Sequence, residues 1–185
     1  MYICLVLYSP SSSYSFLGLS MAASSSSLIP PPQREYNVLL NFSGPDTRES
    51  IISHLRVDLE RNGFHTFRDD ENLDRGQSIG PGLLEAIEAS SMSLVVFSKN
   101  YFASTWCLRE LKKIMECKKD SEHFVLPIFY KIEPSDIRHL NESIAETLAK
   151  HEEEHPKMEN WRTILTEVAN LSGIVSNHYR YTFFF

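Results

Sequence analysis

The chain is poor in cysteine, in basic charge and in long apolar stretches, and each shortage excludes a class of protein. Its three cysteines, Cys4, Cys107 and Cys117, show no paired spacing, which excludes a disulfide framework and favours a reducing compartment such as the cytoplasm, with the nucleus as a second one. The net charge is -6, without a long basic block, which argues against nucleic acid as the main partner. The apolar run at residues 1–8 is too short to span a bilayer, so no membrane is expected as a partner.

Several motifs of bound cofactors and metals are also missing. The sequence has neither a Gly-x-Gly-x-x-Gly fingerprint nor a P-loop, which excludes a Rossmann-bound dinucleotide cofactor. His151 and His155 formally match the zinc motif His-Glu-x-x-His, but Pro156 ends the helix at once and no third ligand is evident, so a solvated acidic helix end is favoured. A phosphoacceptor receiver would need an aspartate after the third strand, where Ser98 and Lys99 stand.

The first 35 residues differ in composition from the rest. Residues 22–32 are rich in serine and proline, and Met21 just before them is a natural alternative start. The positive segment of a secretory signal is absent. We therefore expect residues 1–35 to be a disordered leader outside the fold.

Strand and helix patterns alternate from residue 36 onward. The nearly continuous apolar run Tyr36–Phe42 predicts a buried parallel strand. Asp46, with Glu49 three residues later, predicts a helix N-cap, and Gly63 predicts the end of that helix.

The later elements continue the alternation. They are a strand at Phe64–Phe67, a polar loop at Asp69–Gln77, a helix with Pro81 in its first turn, a strand at Met92–Phe97, a helix at Ser104–Cys117, a strand at Phe124–Tyr130 whose Pro127 indicates an edge or bulge, and helices around Ile144–Glu153 and Glu159–Leu171. The order predicts an α/β fold with a parallel sheet covered by helices on both faces. Ligands of such folds bind beyond the carboxyl ends of the strands.

Glu110 is out of place in the pattern of its helix. It falls within the apolar arc, one turn from Trp106 and Ile114, whereas the other charged residues fill the opposite arc. A carboxylate among apolar neighbours costs free energy unless something pairs with it, so it is held either in a structural pair or for chemistry. The start of the helix follows the third strand, which brings Glu110 within reach of the ligand-binding edge.

Many ordered motifs together resemble plant Toll/interleukin-1 receptor (TIR) domains. The matching segments are Tyr36–Arg48, Ser53–Leu55, Phe67–Asp70, Arg75–Gly76, Leu84–Glu88, Val96–Tyr101, Trp106–Leu111, Phe129–Tyr130 and Glu133–Ser135. The agreement extends over residues 36–174, followed by a divergent tail at 175–185, and is similar to a TIR-only or truncated disease-resistance receptor.

This resemblance implies a flavodoxin-like sheet of order 2-1-3-4-5, with an incomplete fifth strand expected here. It also implies an NAD⁺ nucleosidase that releases nicotinamide and forms ADP-ribose or cyclic ADP-ribose in defence signalling, with NAD⁺ as substrate and no cofactor or metal. Glu110 corresponds to the catalytic glutamate, Ser53 and His54 to the self-association surface shared with other TIR domains, and Asp69–Ser78 to a mobile loop. The predicted substrate-binding residues are Phe42, Ser43, Gly44, Asp46, Arg75, Gly76, Ser98, Trp106 and Cys107.

The sequence departs from the family pattern at the predicted substrate edge. Where the family usually has Phe-Arg-Gly-Glu-Asp, this chain has Ser43 in place of the arginine and Pro45 in place of the glutamate. An arginine there would meet phosphate or ribose oxygens. Two functions therefore remain open: Glu110 in its motif favours an NAD⁺-cleaving enzyme, and Ser43 with Pro45 favours a non-catalytic adaptor or decoy that pairs with other TIR domains.

Overall fold

The computed structural model describes residues 36–67, 79–121, 123–154 and 160–176. Strands and helices alternate along these ranges. They are β1 (Tyr36–Phe42), α1 (Gly44–Thr47), a π-helical turn (Arg48–Ile52), α2 (Ser53–Arg61), β2 (Thr66–Phe67), α3 (Ile79–Ala89), β3 (Ser90–Phe97), a 3₁₀ turn (Tyr101–Ala103), α4 (Thr105–Asp120), β4 (Phe124–Phe129), α5 (Pro134–Arg138), α6 (Glu142–Glu154), α7 (Trp161–Ala169) and β5 (Ile174–Val175).

The five strands form one parallel sheet in the order β2-β1-β3-β4-β5. The predicted fold class and strand order are confirmed. β1 and β3 are neighbours although β2 comes between them in the chain, so the direction of winding reverses between these two strands. In open sheets of this kind the crevice at the carboxyl ends of such a pair is the usual ligand site.

Alternation along each strand divides the core into two clusters. Val38, Leu40 and Phe42 of β1 pack with one cluster, which includes Leu55 and Leu59 of α2. Side chains at the intervening positions point to the other face of the sheet. Leu39 accordingly belongs to the second cluster, which contains the apolar residues of α4, α6 and α7. Asn41 is two residues after Leu39, so its side chain lies on the same face of the sheet, and its amide points toward α4.

The predicted N-cap of the first helix was wrong. The helix begins at Gly44, Ser43 occupies the N-cap position without a side-chain capping bond, and Pro45 lies in the first turn. Proline suits that position because its missing N–H would have no helical partner there. Asp46 therefore lies inside α1, and its carboxylate is used elsewhere. Gly63 ends α2 at a φ of 82°, which confirms the predicted C-terminal glycine.

A π-helical turn interrupts this first helical segment at Arg48–Ile52. Ser53 Oγ donates a hydrogen bond of 2.6 Å to Arg48 O, five residues earlier. Such a turn shifts the following residues around the helix axis. With this shift, Arg48 is exposed at the edge of the sheet and Ile52 is buried in the core. The motif is frequent at functional sites, and the apolar spacing of the sequence did not reveal it.

The predicted edge or bulge position of Pro127 was wrong, because β4 lies between β3 and β5 and pairs with β3 in unbroken register. Tyr130 N donates to Phe97 O of β3 at 2.8 Å. Because backbone groups of successive residues point to opposite sides of a strand, the backbone nitrogen of Pro127 points toward β5. Only two residues of β5 pair with β4, and a proline is tolerated there since few ladder bonds are made. At Gly173 a Cβ would stand 2.6 Å from Pro127 O, which explains glycine at the entry to β5.

The remaining differences concern element boundaries. β2 is shorter than predicted at Thr66–Phe67, β3 begins earlier at Ser90, and a short helix α5 that was not predicted follows Glu133. Pro134 starts α5 because its φ is already helical. In the described part of the chain no helix is long and apolar enough to cross a membrane.

Candidate functional site

Glu110 lies in the second turn of α4 with only 6% of its surface exposed, which confirms the predicted burial. Helix α4 begins after Ser104, whose Oγ accepts a hydrogen bond of 3.2 Å from Cys107 N. This N-cap fixes the start of the helix and hence the direction in which Glu110 points. Its neighbours on the same face, Leu111 and Ile114, are buried.

Asn41 positions the Glu110 carboxylate. Its Nδ2 donates to Glu110 Oε2, and its Oδ1 accepts a hydrogen bond from the Tyr101 hydroxyl. Tyr101 Oη also contacts Cys107 O at 3.2 Å. Asn41 is the next-to-last residue of β1, and Tyr101 follows β3 closely. The buried chain Tyr101–Asn41–Glu110 therefore lies at the carboxyl ends of β1 and β3, where the winding of the sheet reverses.

The Tyr101 hydroxyl remains a neutral donor. Complete burial raises the pKa of Tyr101 well above its ordinary value, and the nearby Cys107 and Glu110 raise it further, while the hydrogen bond with Asn41 opposes the rise. The phenol therefore keeps its proton at physiological pH and fixes the orientation of the Asn41 amide. Because the oxygen of that amide is occupied, its NH₂ group is the part that faces Glu110.

A second set of hydrogen bonds joins α1 to the segment after β3. Asp46 Oδ1 accepts from Ser98 Oγ at 3.0 Å, and Asp46 Oδ2 accepts from Asn100 N at 3.2 Å. Ser43 Oγ donates to Asn100 O at 3.3 Å. The predicted site residues Ser43, Asp46 and Ser98 are thus brought together, and they bridge the ends of β1 and β3 rather than projecting toward solvent.

Arg48 lies beside Phe42 and Gly44, the two chain neighbours of Ser43. Its guanidinium carbon is 5.9 Å from the centroid of the Phe42 ring. A Cβ added to Gly44 would stand 2.9 Å from Arg48 Nη2, so glycine makes room for this side chain. A cationic group therefore lies at the edge of the site even though residue 43 is serine.

Cys107 contacts the end of β1 at the base of the site, and Trp106 precedes it in the first turn of α4. Cys107 Sγ donates to Phe42 O at 3.3 Å, which ties α4 to the end of β1. Trp106 is partly buried against the α4 cluster, and its indole Nε1 is buried without a hydrogen-bond partner among the described residues. Phe42 is mostly buried on the opposite face. The suggested role of the two rings as walls for a substrate remains a prediction.

Ser53 and His54 have side chains that turn back onto their own helix. Ser53 Oγ donates to Arg48 O, and His54 Nδ1 contacts Ser50 O at 2.6 Å. His54 is exposed, and Leu55 and Leu59 are buried on the opposite side of α2. These positions suit a surface contact, but the self-association role remains a prediction.

Some of the predicted site residues fall outside the description. Arg75, Gly76 and the loop Asp69–Ser78 lie outside the described residues. Among the residues described, no group of three or more histidine, cysteine and acidic side chains could hold a metal ion. Burial raises the pKa of Cys117, which favours the thiol expected of a structural cysteine.

Sequence reasoning missed the residues that orient Glu110. Asn41 was treated as part of an apolar strand, although it is a lone amide at a position that faces α4. Tyr101 belongs to the motif Val96–Tyr101, and nothing in that motif indicates a contact with Asn41. The signal in the sequence was a lone amide within an apolar strand, but only the fold shows that its face of the sheet meets the helix that carries Glu110.

Comparisons with known proteins agree with this architecture. The sequence model of the TIR domain matches residues 35–183. The disease resistance protein RPV1 of Vitis rotundifolia is 52% identical over 157 residues, which are 83% of this chain and 11% of RPV1. The TMV resistance protein N of Nicotiana glutinosa is 44% identical over 161 residues, 85% of this chain and 14% of that protein. The chain therefore spans only about an eighth of the length of these two relatives.

A solved structure shares the fold as well. The TIR domains in the structure of the activated Roq1 resistosome, which directly recognises the pathogen effector XopQ, superpose with a TM-score of 0.73 at 44% identity. The alignment covers 78% of this chain and 90% of that one.

Proposed function

The chain belongs to the TIR domain family, and from that membership we propose that it cleaves the bond between nicotinamide and ribose in NAD⁺ as part of defence signalling. The single observation that carries this proposal is the buried Glu110 carboxylate, held by Asn41 at the carboxyl ends of β1 and β3. Asn41 Nδ2 is a neutral amide donor, and its hydrogen bond fixes the orientation of this carboxylate at the ligand-binding edge of the sheet.

The chemistry follows from where charge develops in the reaction. As the bond to nicotinamide breaks, its electron pair leaves with the pyridine nitrogen and the ribose becomes oxocarbenium-like. An oriented carboxylate in a partly desolvated site stabilises that positive charge or holds the ribose hydroxyls. Attack by water then gives ADP-ribose and a proton, and attack by an internal nucleophile of the substrate gives cyclic ADP-ribose.

Assembly with other TIR domains is the second part of the proposal. The Roq1 TIR domains, 44% identical to this chain, were solved in an activated resistosome. By analogy we expect the present domain to act as a homo-oligomer or with related domains. Ser53 and exposed His54 on α2 are the proposed contact, and the cytoplasm or nucleus is the proposed compartment. Neither a nucleic acid nor a membrane is part of the proposal.

Nicotinamide release from NAD⁺ by the purified chain tests this function. We expect turnover in the wild type and a loss of at least about a hundredfold in Glu110→Gln, which keeps the shape but removes the charge. Glu116→Gln, on the exposed side of the same helix, is the matched control and should retain activity. Unfolding curves and circular dichroism must be unchanged in Glu116→Gln. Equal turnover in wild type and Glu110→Gln contradicts the assignment.

A non-catalytic adaptor or decoy is the second candidate. Ser43 favours it, because its side chain is buried and donates to Asn100 O at 3.3 Å, where a family arginine would meet the substrate. The adaptor predicts binding to other TIR domains with no nicotinamide release at any protein concentration. The same release assay, together with measurement of association, separates the two functions.

A further inference from the structure

A cleft separate from the Glu110 site lies next to the segments that follow β3 and β4. Its volume is about 260 Å³, and it is formed by the segment after β3, the segment after β4 and the first turns of α6. Lys99 and Lys131 contribute its two charged side chains. Both lysines are exposed. Within the described residues neither forms an ion pair, but Lys131 Nζ lies 4.9 Å from the centroid of the Tyr130 ring.

The cleft has donors in the two lysines and in Asn141, whose Oδ1 accepts from Ile144 N at 3.1 Å so that its NH₂ group is left to donate. Ser143 and Thr147 also line it, and the Thr147 hydroxyl can only accept because its proton is donated to Ser143 O at 2.8 Å. The N-terminus of the 13-residue helix α6 adds its partial positive charge, which Glu142 in the first turn partly offsets. None of the residues that line this cleft is acidic, although the whole chain carries a net charge of -6.

The other walls of the cleft are apolar. Phe102, Ile132 and Ile144 line it, and they offer a surface for a flat or hydrophobic group next to the lysines. A site with cationic donors on one side and apolar side chains on the other suits a ligand that has an anionic group at one end and an apolar or flat group at the other. The volume is below the usual range of small-molecule pockets, so a ligand of mononucleotide size fits better than a dinucleotide.

We propose that this cleft binds a nucleoside monophosphate, with the phosphate between Lys99 and Lys131 and the nucleoside against Phe102 and Ile144. Lysine ammonium groups are well-known phosphate ligands, and a helix N-terminus supports them. This site is separate from Glu110. It shares one segment with that site, however, because Ser98 and Asn100 hold Asp46 on one side while Lys99 and Phe102 line the cleft on the other.

Titration of ¹⁵N-labelled protein with AMP, followed by NMR, tests the proposal without any turnover. We expect saturable shifts of the amides of Lys99, Phe102, Ser143 and Thr147. Affinity should fall about threefold to fivefold in Lys99→Gln and in Lys131→Gln, since an exposed charge pair contributes up to about 1 kcal/mol. Added salt should weaken binding as well. Lys150→Gln, on the same helix but outside the cleft, should bind like the wild type.

Other outcomes overturn the proposal in defined ways. Equal affinity for AMP and adenosine removes the role of the phosphate, and equal affinity for AMP and inorganic phosphate removes the role of the nucleoside. Equal losses in Lys150→Gln and Lys99→Gln indicate a general charge effect. Loss of AMP binding in Glu110→Gln places the ligand in the NAD⁺ site instead. Binding retained in Glu110→Gln, whether or not NAD⁺ is cleaved, separates this inference from the proposed function.

Discussion

Asn41 and Glu110 are 69 positions apart in the chain and share a hydrogen bond in the core, from Asn41 Nδ2 to Glu110 Oε2. The bond joins the carboxyl end of β1 to the second turn of α4. The Tyr101 hydroxyl holds the other end of the same amide. One strand residue thereby sets the orientation of the carboxylate on which the proposed chemistry depends.

Replacing Asn41 by leucine should lower activity by more than the accompanying loss of stability can explain. The substitution keeps the approximate volume but removes the donor from a buried carboxylate and the acceptor from Tyr101. We expect the free energy of unfolding to fall by about 2–4 kcal/mol and kcat to fall at least about tenfold, with a smaller change in KM. Urea unfolding and nicotinamide release measure the two effects.

Asn37→Leu is the control for Asn41→Leu. Asn37 lies on the same strand, and its Oδ1 accepts a hydrogen bond of 2.9 Å from His65 N at the opposite end of β1. Loss of this hydrogen bond should also lower the free energy of unfolding, but it should leave kcat unchanged. If Asn41→Leu keeps the kcat of the wild type, the amide has only a structural role.

Tyr101 should make the folded state sensitive to alkaline pH. Burial raises the pKa of Tyr101 well above its ordinary value of 10.0. Above pH 10 the unfolded chain therefore loses this proton while the folded chain retains it. The contribution is fully present below about pH 10 and is lost as pH rises toward the raised pKa, by up to about 1.4 kcal/mol per pH unit.

Tyr101→Phe removes this titration and identifies its source. Urea unfolding at pH 8 and at pH 10.5 should show a larger alkaline loss in the wild type than in Tyr101→Phe. Tyr130→Phe, at a partly exposed tyrosine outside the network, should lose as much as the wild type. The same alkaline loss in all three proteins would contradict the role given to burial.

The sequence predicted the sheet better than the site because the two depend on different kinds of information. The alternation of strands and helices and the burial of Glu110 follow from apolar periodicity, which is local, whereas the order of the strands was expected from the resemblance to TIR domains. The pairing of Glu110 with Asn41 depends on which strand faces which helix, and this becomes clear only once the fold is known. For Asp46 a local pattern was misleading. Its spacing to Glu49 is typical of an N-cap, but the helix begins earlier, with Pro45 in its first turn, and the Asp46 carboxylate bonds to the segment after β3.

Restoring the family residues at the edge of the site should raise activity. In Ser43→Arg with Pro45→Glu, the arginine adds a bidentate donor for phosphate or ribose oxygens, and residue 45 is exposed and can accommodate a charge. We expect a lower KM or a higher kcat for NAD⁺. Losing the bond from Ser43 Oγ to Asn100 O should cost about 1 kcal/mol of stability.

Pro45→Glu alone is the control for this double variant, since it changes the edge without supplying an arginine. It should leave KM near that of the wild type. Arg48 already lies over Phe42 at this edge. If the double variant gains nothing, the cation supplied by Arg48 is sufficient and residue 43 does not limit activity.

The proposed assembly through Ser53 and His54 predicts that activity depends on α2. Ser53→Glu with His54→Glu places two like charges on the proposed contact and removes the bonds to Arg48 O and Ser50 O. Specific activity of the wild type should rise with protein concentration, since only the oligomer is competent. The double variant should stay weak at every concentration while remaining folded. Sedimentation and nicotinamide release over the same concentration series give both quantities.

Ser121→Glu with His65→Glu is the matched control, because both residues are exposed and lie near the amino-terminal edge of the sheet. Ser121 Oγ donates to a carbonyl of its own helix, Cys117 O, at 2.7 Å, as Ser53 does in α2. This control carries the same added charge and loses a similar local bond, so it should assemble and turn over like the wild type. A specific activity that is flat with concentration, together with full activity of the α2 variant, would show that the monomer is sufficient.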